Sequence, residues 1–250
     1  MGIQTVFKRY ELKYMLSPEQ KNRILKTMSS YMELDKYGRT TIRNSYFDTD
    51  NYRLIRRSIE KPVYKEKLRV RSYTQATDDS TVFVELKKKY DDVVFKRRIA
   101  LRRQDALGWL YREQACPVNT QISREIDYFI GFYETLTPKI FLSYEREAFF
   151  EKNGGDFRVT FDDNILFRQT EIDLCSPVYG TEILGANKIL MEIKCSGGIP
   201  LWMVEILSKE RIYKTSFSKY GAAYCLHIYP ENPIKIYEKH REIISNGNFI

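Results

Sequence analysis

The stretch Lys67-Leu68-Arg69-Val70-Arg71 alternates charged with apolar side chains, and Phe83-Val84-Glu85-Leu86-Lys87 follows with charges at the same spacing. Successive side chains of a β-strand point to opposite faces of a sheet, so each stretch predicts a strand whose charges share one face. The spacing returns in Arg9-x-Glu11-x-Lys13, Arg158-x-Thr160-x-Asp162 and Glu192-x-Lys194. Charge fixed on a single face of five strands predicts a sheet that binds a polyanion.

Composition indicates a globular chain with a moderate basic excess. Its 250 residues are 43% hydrophobic and 30% charged, and the net charge is +8, which favours acidic ligands. The four cysteines contain no C-x-x-C pair, so neither a zinc site nor a disulfide framework is predicted, and a reducing compartment fits best. Without a run of about 18 apolar residues, the sequence predicts a cytoplasmic protein that does not insert into a membrane. It leaves a membrane partner open.

Hydrophobic periodicity predicts eight strands and six helices. The strands are expected over 7–15, 40–47, 63–73, 80–90, 92–101, 139–150, 156–161 and 188–195. The helices are expected over 17–32, 48–57, 103–114, 121–133, 200–209 and 218–227. Residues 229–250 are predicted to be a C-terminal tail.

No internal repeat or linker divides the sequence, so a single domain over 1–250 is expected. Eight mostly antiparallel strands, each with one charged and one apolar face, can close on themselves with helices packed outside. The predicted fold class is therefore α+β, an eight-stranded antiparallel β-barrel with helices packed outside. Its charged face would line a tunnel.

The charged faces have a simpler interpretation as well, because an ordinary antiparallel sheet turns one polar face to water. The identity of the basic residues argues against it. The strands use arginine, whose planar fork binds phosphate through two hydrogen bonds. These arginines are Arg69, Arg71, Arg98, Arg146 and Arg158.

Four carboxylates fall on the same faces as the basic groups: Glu11, Glu85, Asp162 and Glu192. They can pair with neighbouring lysines and arginines. Some of them can instead hold a divalent ion, since Mg²⁺ and Mn²⁺ bind one or two carboxylates and complete their shells with phosphate oxygens and water. The residues alone leave both roles open.

Taken together, these segments resemble the VTC domain, the polyphosphate polymerase branch of the triphosphate tunnel (CYTH-like) metalloenzymes. The resemblance spans roughly residues 6–228. It is carried by Glu11-x-Lys13, Ser45-Tyr46-Phe47-Asp48-Thr49, Arg69-x-Arg71, Glu85-x-Lys87, Arg146, Arg158, Glu192-x-Lys194 and Ser218-Lys219-Tyr220.

The resemblance implies a triphosphate tunnel that holds ATP and a growing polyphosphate chain with Mn²⁺ or Mg²⁺. It assigns phosphate binding to Lys13, Arg69, Arg71, Lys87, Arg146, Arg158 and Lys194. It makes Glu192 the metal ligand and, with Lys219, a catalytic residue. Tyr144 would stack on the nucleotide base, although a packed core tyrosine is an equal alternative. Spacing does not decide whether Lys214 or Lys219 holds the more important position.

The function predicted in this way is ATP-dependent polyphosphate polymerase activity. Two alternatives share the same fold: a hydrolase of triphosphate or polyphosphate, and a module that binds polyphosphate or nucleotide without catalysis. Nucleic acid is a disfavoured partner, because the basic groups alternate with carboxylates and form no continuous patch.

Overall fold

The computed structural model describes residues 10–91, 93–185 and 187–229. The chain divides into two compact units. Within the described residues, unit 1 comprises 10–40, 144–165, 182–185 and 187–229, and unit 2 comprises 41–91, 93–143 and 166–181.

Strands β2 (Met32–Asp48) and β6 (Thr137–Glu151) are divided nearly evenly between the two units. The other elements of unit 1 are β1 (Tyr10–Leu16), α1 (Pro18–Met28), most of β7 (Arg158–Arg168), β9 (Ile189–Cys195), α5 (Leu201–Lys209), β10 (Lys214–Thr215), α6 (Lys219–Ala223) and a π-helical turn (Tyr224–Ile228). Strand β8 (Thr181–Glu182) pairs with β7. Four strands of unit 1 follow the order β10-β1-β9-β7, and each neighbouring pair is antiparallel.

Unit 2 is built on an antiparallel meander in the order β2-β3-β4-β5. The meander strands that follow β2 are β3 (Tyr64–Ser72), β4 (Thr81–Tyr90) and β5 (Val93–Arg102), and the helices of the unit are α2 (Arg53–Ile59), α3 (Arg103–Leu110) and α4 (Gln121–Tyr133).

Each unit has its own core, formed where the apolar face of its strands meets its helices. In unit 1, Met191 and Ile193 of β9 are fully buried together with Ile24 of α1 and Met203 of α5. In unit 2 the corresponding cluster joins the apolar residues of β3, β4 and β5 to those of α3 and α4. Burying one such aliphatic side chain contributes roughly 1.5–3 kcal/mol. The two cores hold the opposite, charged faces of the strands in place.

Helix α1 begins as its capping sequence predicts. The amide of Gln20 donates to Ser17 Oγ at 3.2 Å, and the amide of Ser17 donates to Gln20 Oε1 at 2.9 Å. The predicted extension to residue 32 is wrong, because the helix ends at Met28 and Met32 already opens β2.

Helix α2 begins five residues later than predicted, at Arg53. Its N-cap residue is Tyr52, whose side chain makes no capping hydrogen bond, so a cap at Asp48 or Thr49 is wrong. The carboxylate of Asp48 accepts hydrogen bonds from the amides of Leu54 at 2.9 Å and Ile55 at 3.0 Å. A carboxylate at this end is favourable because the first amides of a helix lack intrahelical partners.

The predicted α+β class is confirmed: helices pack on antiparallel strands, and eight of the ten strands in the described residues are longer than two residues. The strand pairings among the described residues leave the sheet open, so they do not show the predicted closed barrel. The sequence missed the two-residue strands β8 and β10. It also placed the start of β2 too late and the end of β7 too early, at residues 40 and 161 instead of 32 and 168. The predictions for residues 7–9 and for nearly all of the tail, 230–250, lie outside the described residues. Within the described part of the chain, no helix is both long enough and apolar enough to cross a membrane.

Candidate functional site

The strand register of unit 1 brings its predicted charges onto one face. Glu11 lies opposite Lys194, and Lys13 lies opposite Glu192, in the β1–β9 pair. In the β7–β9 pair, Arg158 lies opposite Lys194. Directly opposed residues of an antiparallel pair share a face, so three strands contribute to one charged surface.

At the centre of this surface is a buried group that we term the Asp162–Glu192 cluster, defined by Arg146, Asp162, Glu192 and Lys219. Asp162 is 0% exposed. The guanidinium of Arg146 donates to both of its carboxylate oxygens at 2.6 Å, and Lys219 Nζ donates to Oδ2 at 2.6 Å. These short charge-assisted bonds fix the two cations against one carboxylate.

Glu192 is held more loosely by the same cations. Lys219 Nζ and Arg146 Nη2 each lie 3.4 Å from one of its oxygens, and the ammonium groups of Lys13 and Lys194 lie 3.7 Å away. All four distances exceed the 2.7–2.9 Å typical of a charge-assisted hydrogen bond. The carboxylate of Glu192 is thus surrounded by positive charge without a short bond to any of it.

Every member of the cluster remains charged at neutral pH. Burial raises the pKa of Glu192, but Lys219, Lys13 and Lys194 outweigh it and hold that pKa well below the usual range. Burial lowers the pKa of Lys219, and the attraction of Asp162 and Glu192 reverses this and raises it above its ordinary value. Lys219 is therefore a fixed cation and not a proton donor or acceptor.

Tyr144 lies inside this arrangement. It is 3% exposed, and the ammonium of Lys219 sits 4.5 Å from its ring centroid while the guanidinium of Arg146 sits 5.1 Å away. Such cation–π contacts stabilise both cations. The role of Tyr144 in stacking on a base stays a prediction.

The remaining predicted residues of unit 1 line the margin of the cluster. Lys13 Nζ donates to the carbonyl of Phe217 at 2.7 Å. Arg158 is exposed and Lys194 is partly buried. Of the two lysines that the sequence did not separate, Lys214 is exposed, and it lies opposite Tyr14, a buried residue of the apolar face. Lys219 is the one in the cluster.

Unit 2 contains a second group, the Glu85 cluster, defined by Arg69, Arg71, Glu85, Lys96 and Arg98. Glu85 is 1% exposed. Its oxygens lie 2.7 Å from Arg69 Nη2, 2.7 Å from Lys96 Nζ, 3.0 Å from Arg98 Nε and 4.0 Å from Arg71 Nε. Four cations around one carboxylate leave this cluster with a net positive charge.

The arginines of this cluster are held by neutral neighbours as well. Arg71 Nε donates to Asn44 Oδ1 at 2.9 Å, and Arg69 Nη1 donates to the hydroxyl of Tyr46 at 2.8 Å. Fixed guanidinium groups lose little conformational freedom when they bind an anion.

A row of three lysines continues the charged face of unit 2. Lys67 lies opposite Lys87, and Lys87 lies opposite Lys96. The Lys96 ammonium contacts the buried Glu85, although 43% of its side chain is exposed. Burial lowers the pKa of Lys96 to about 8. Repulsion by Arg69 and Arg71 adds to this lowering, and attraction by Glu85 opposes it.

Glu192 is the predicted ligand of a divalent ion. Within the described residues, no group of three or more His, Cys, Asp or Glu side chains is placed to hold a metal. Mg²⁺ and Mn²⁺ need no such group when phosphates share the coordination, since one or two carboxylates then suffice. Glu192, buried and without a short hydrogen bond, fits the role of a single carboxylate ligand.

The sequence analysis assigned no specific role to four members of the clusters: Glu85, Lys96, Arg98 and Asp162. It named Arg98 among the arginines that favour an anion and named the two carboxylates, but it missed Lys96 altogether. Asp162 was visible in the alternating pattern as a carboxylate on the charged face. In β5 the run Lys96-Arg97-Arg98 hides the alternation, because Arg97 points to the other face, where its Nε lies 3.0 Å from Glu125 of α4.

Comparison with known proteins gives one family and a set of fold relatives. The family described as VTC domain matches residues 8–228. A comparison with curated proteins found no match to the sequence.

Two solved structures share the fold at low sequence identity. A candidate adenylate cyclase from Bacillus halodurans is 15% identical, with a TM-score of 0.51 over 85% of this chain and 94% of that one. A candidate adenylyl cyclase from Hippeastrum, described as having a dominant triphosphatase activity, is 16% identical, with a TM-score of 0.52 over 86% of this chain and 93% of that one.

Proposed function

Because this chain belongs to the VTC domain family, we propose that it is a metal-dependent polyphosphate polymerase that transfers the γ-phosphoryl group of ATP to a polyphosphate chain. The observation that carries the proposal is the Asp162–Glu192 cluster. It combines two carboxylates with two fixed cations in a buried position. Phosphoryl transfer requires mainly such positioning and charge neutralisation.

The residues of the cluster have separate roles in the proposed reaction. Asp162 is fully engaged in orienting Arg146 and Lys219, which lie 2.6 Å from it. The two cations are thereby preorganised to stabilise negative charge on the transferring phosphoryl group without reorganising during the reaction. Lys13, Arg158 and Lys194 would bind further phosphates from the same face. The mechanism needs no covalent intermediate with the protein.

Glu192 would hold Mn²⁺ or Mg²⁺, which when bound neutralises charge on phosphate oxygens. The four cations around Glu192 make its carboxylate strongly acidic, so it is ionised and ready to coordinate at any physiological pH. The same cations would contact the phosphates that share the ion.

The Glu85 cluster and Lys87 would bind additional phosphates in unit 2. Here one carboxylate faces four cations, so the excess charge is available to an anionic ligand. In this cluster Glu85 acts as a structural counterion that keeps Arg69 and Lys96 in place, since leaving a buried cation group uncompensated is costly.

Product analysis tests the proposal. Purified protein with ATP and Mn²⁺, with and without a short polyphosphate primer, is expected to form ADP and chains longer than the primer. Gel electrophoresis resolves the chains. Release of inorganic phosphate without longer chains would identify the chain as a hydrolase, and binding without turnover would identify a non-catalytic module.

The hydrolase is the second candidate, since the triphosphatase activity described for the Hippeastrum protein belongs to a chain of the same fold. The same cations would then stabilise attack by water on the γ-phosphorus. The two candidates share the substrate class and the predicted site residues, and they differ only in the attacking group.

The lowered pKa of Lys96 predicts a pH dependence of anion binding. Below about pH 8 the ammonium is charged, and above it the unliganded protein loses this charge. A bound polyanion favours the charged form, so binding takes up a proton at higher pH. Affinity for tripolyphosphate should fall by up to about fivefold between pH 8 and pH 9, relative to the Lys96→Arg variant.

Isothermal titration calorimetry of both proteins across pH 6.5–9.5, a range of about three units around the shifted value, makes this comparison. The arginine of the variant stays charged throughout, so ionisation of the ligand itself affects both proteins equally. Parallel pH profiles for the two proteins would show that Lys96 does not contact the ligand.

A further inference from the structure

Two buried threonine hydroxyls on the charged side of unit 1 lack a partner. Thr160 is 7% exposed and Thr215 is 6% exposed. Neither Oγ1 atom has a hydrogen-bond partner among the described residues. Buried side-chain hydroxyls are paired in the large majority of cases. On a charged face, such a hydroxyl leaves a hydrogen bond open to a ligand.

The strand register places both threonines beside the proposed metal ligand. Thr215 of β10 lies opposite Lys13 of β1, Lys13 lies opposite Glu192 of β9, and Glu192 lies opposite Thr160 of β7. Directly opposed residues share a face. The four residues thus form a transverse row in which a hydroxyl flanks each end of the Lys13–Glu192 pair.

Not every unpartnered hydroxyl of the chain has such a position. Ser45 is 5% exposed and its Oγ also has no partner among the described residues. It lies opposite Val70, a residue of the unit 2 core, and so belongs to the apolar face. Ser45 has the same unpaired buried hydroxyl but lies on the apolar face, which makes it a matched control.

We propose that Thr160 and Thr215 are ligand-binding residues that donate hydrogen bonds to phosphoryl oxygens bound over the Lys13–Glu192 pair. The inference rests on the proposed function and deepens it. Neutral donors suit this position, because the row already carries Lys13 and is bordered by Lys194 and Lys219. Additional cations there would repel those present, whereas hydroxyls complete the ligand's hydrogen bonds without added charge.

The variants Thr160→Val and Thr215→Val test this, because valine keeps the shape of threonine and removes only the hydroxyl. Without ligand, the thermal midpoint is expected to stay equal to wild type or rise, since an unpaired buried hydroxyl is removed. In the presence of Mn²⁺, the affinity for tripolyphosphate should fall about three- to tenfold in each variant. Thr160→Ser, which restores the hydroxyl, should recover most of the loss.

The salt dependence separates a direct hydrogen bond from an indirect effect on the charges. Calorimetric titrations at low and high salt should give a similar fold-loss for Thr160→Val, because a neutral hydrogen bond is not screened. Variants of the charged residues should show a loss that shrinks with salt. Ser45→Ala should bind as wild type.

Wild-type affinity in both valine variants would overturn the inference and leave the proposed function standing. Failure of the wild-type chain to bind tripolyphosphate would instead overturn the proposed function, and the inference with it. The binding readout is independent of chain growth, so the two failures are distinguishable.

Discussion

Replacing Glu192 by glutamine is expected to lower metal-dependent turnover by at least about 10²-fold, since the loss of even an outer-sphere partner of a metal costs 10–100-fold. Glutamine keeps the volume of the side chain but removes the charge that would coordinate the ion. It is preferable to alanine, because a cavity among four cations would also destabilise the fold. Initial rates of ADP formation over a range of Mn²⁺ concentrations measure the effect.

The matched control is Glu147→Gln. Glu147 follows Arg146 by one residue on β6 and so points to the opposite face, where it pairs with Lys21 and lies 3.8 Å from Arg39. Its replacement removes one carboxylate from the same region and should leave the rate within about threefold, as expected for a partly exposed ion pair. Equal rates for Glu192→Gln and wild type at limiting Mn²⁺ would exclude Glu192 as the ligand.

Much of the fold follows from local periodicity. Charged and apolar side chains alternate over residues 67–71 of β3, 84–87 of β4 and 191–195 of β9, and the sequence shows this directly. The first half of β2 has no such signal. Residues 33–39 are exposed, apart from the partly buried Asp35 and Gly38. No alternation of buried apolar residues therefore marks this part of the strand.

The site was predictable as a set of charges but not as a set of partners. Alternation showed that Glu192 and Lys194 share a face. It could not show that Arg146 bonds Asp162, 16 residues away, because strand register depends on the turn and the packing between them. The row from Thr215 to Thr160 depends on β10, whose two residues are too few to produce a pattern.

The position of Lys219 in the cluster depends on tertiary structure that spacing alone does not predict. Lys214 and Lys219 are five residues apart, and spacing did not decide which of them holds the more important position. The short strand β10 ends at Thr215, and α6 then begins at Lys219, whose preceding residue Ser218 caps the helix through a 3.1 Å bond from the amide of Gly221. This change of element turns Lys219 toward Asp162 and leaves Lys214 exposed.

Replacing Lys219 by methionine is therefore expected to reduce turnover about 10²–10³-fold, the typical effect of removing one preorganised donor from a transition-state site. Methionine retains the length and apolar stem of the side chain, and Asp162 keeps its two bonds to Arg146, so the fold should persist. Because Lys13, Arg146 and Lys194 keep their charges, tripolyphosphate binding should weaken much less than the rate of transfer. Single-turnover measurement of phosphoryl transfer, with calorimetry of tripolyphosphate binding, separates the two effects.

Lys214→Met is the control, since it removes the same charge from a lysine that shares a face with the apolar residue Tyr14. We expect its rate to lie within about twofold of wild type, as for most exposed substitutions. The raised pKa of Lys219 adds a second criterion: a group that stays protonated contributes no step to the pH–rate profile near neutrality. Equal rates for the two methionine variants, or a rate step that disappears with Lys219, would contradict its role as a fixed cation at the reacting phosphoryl group.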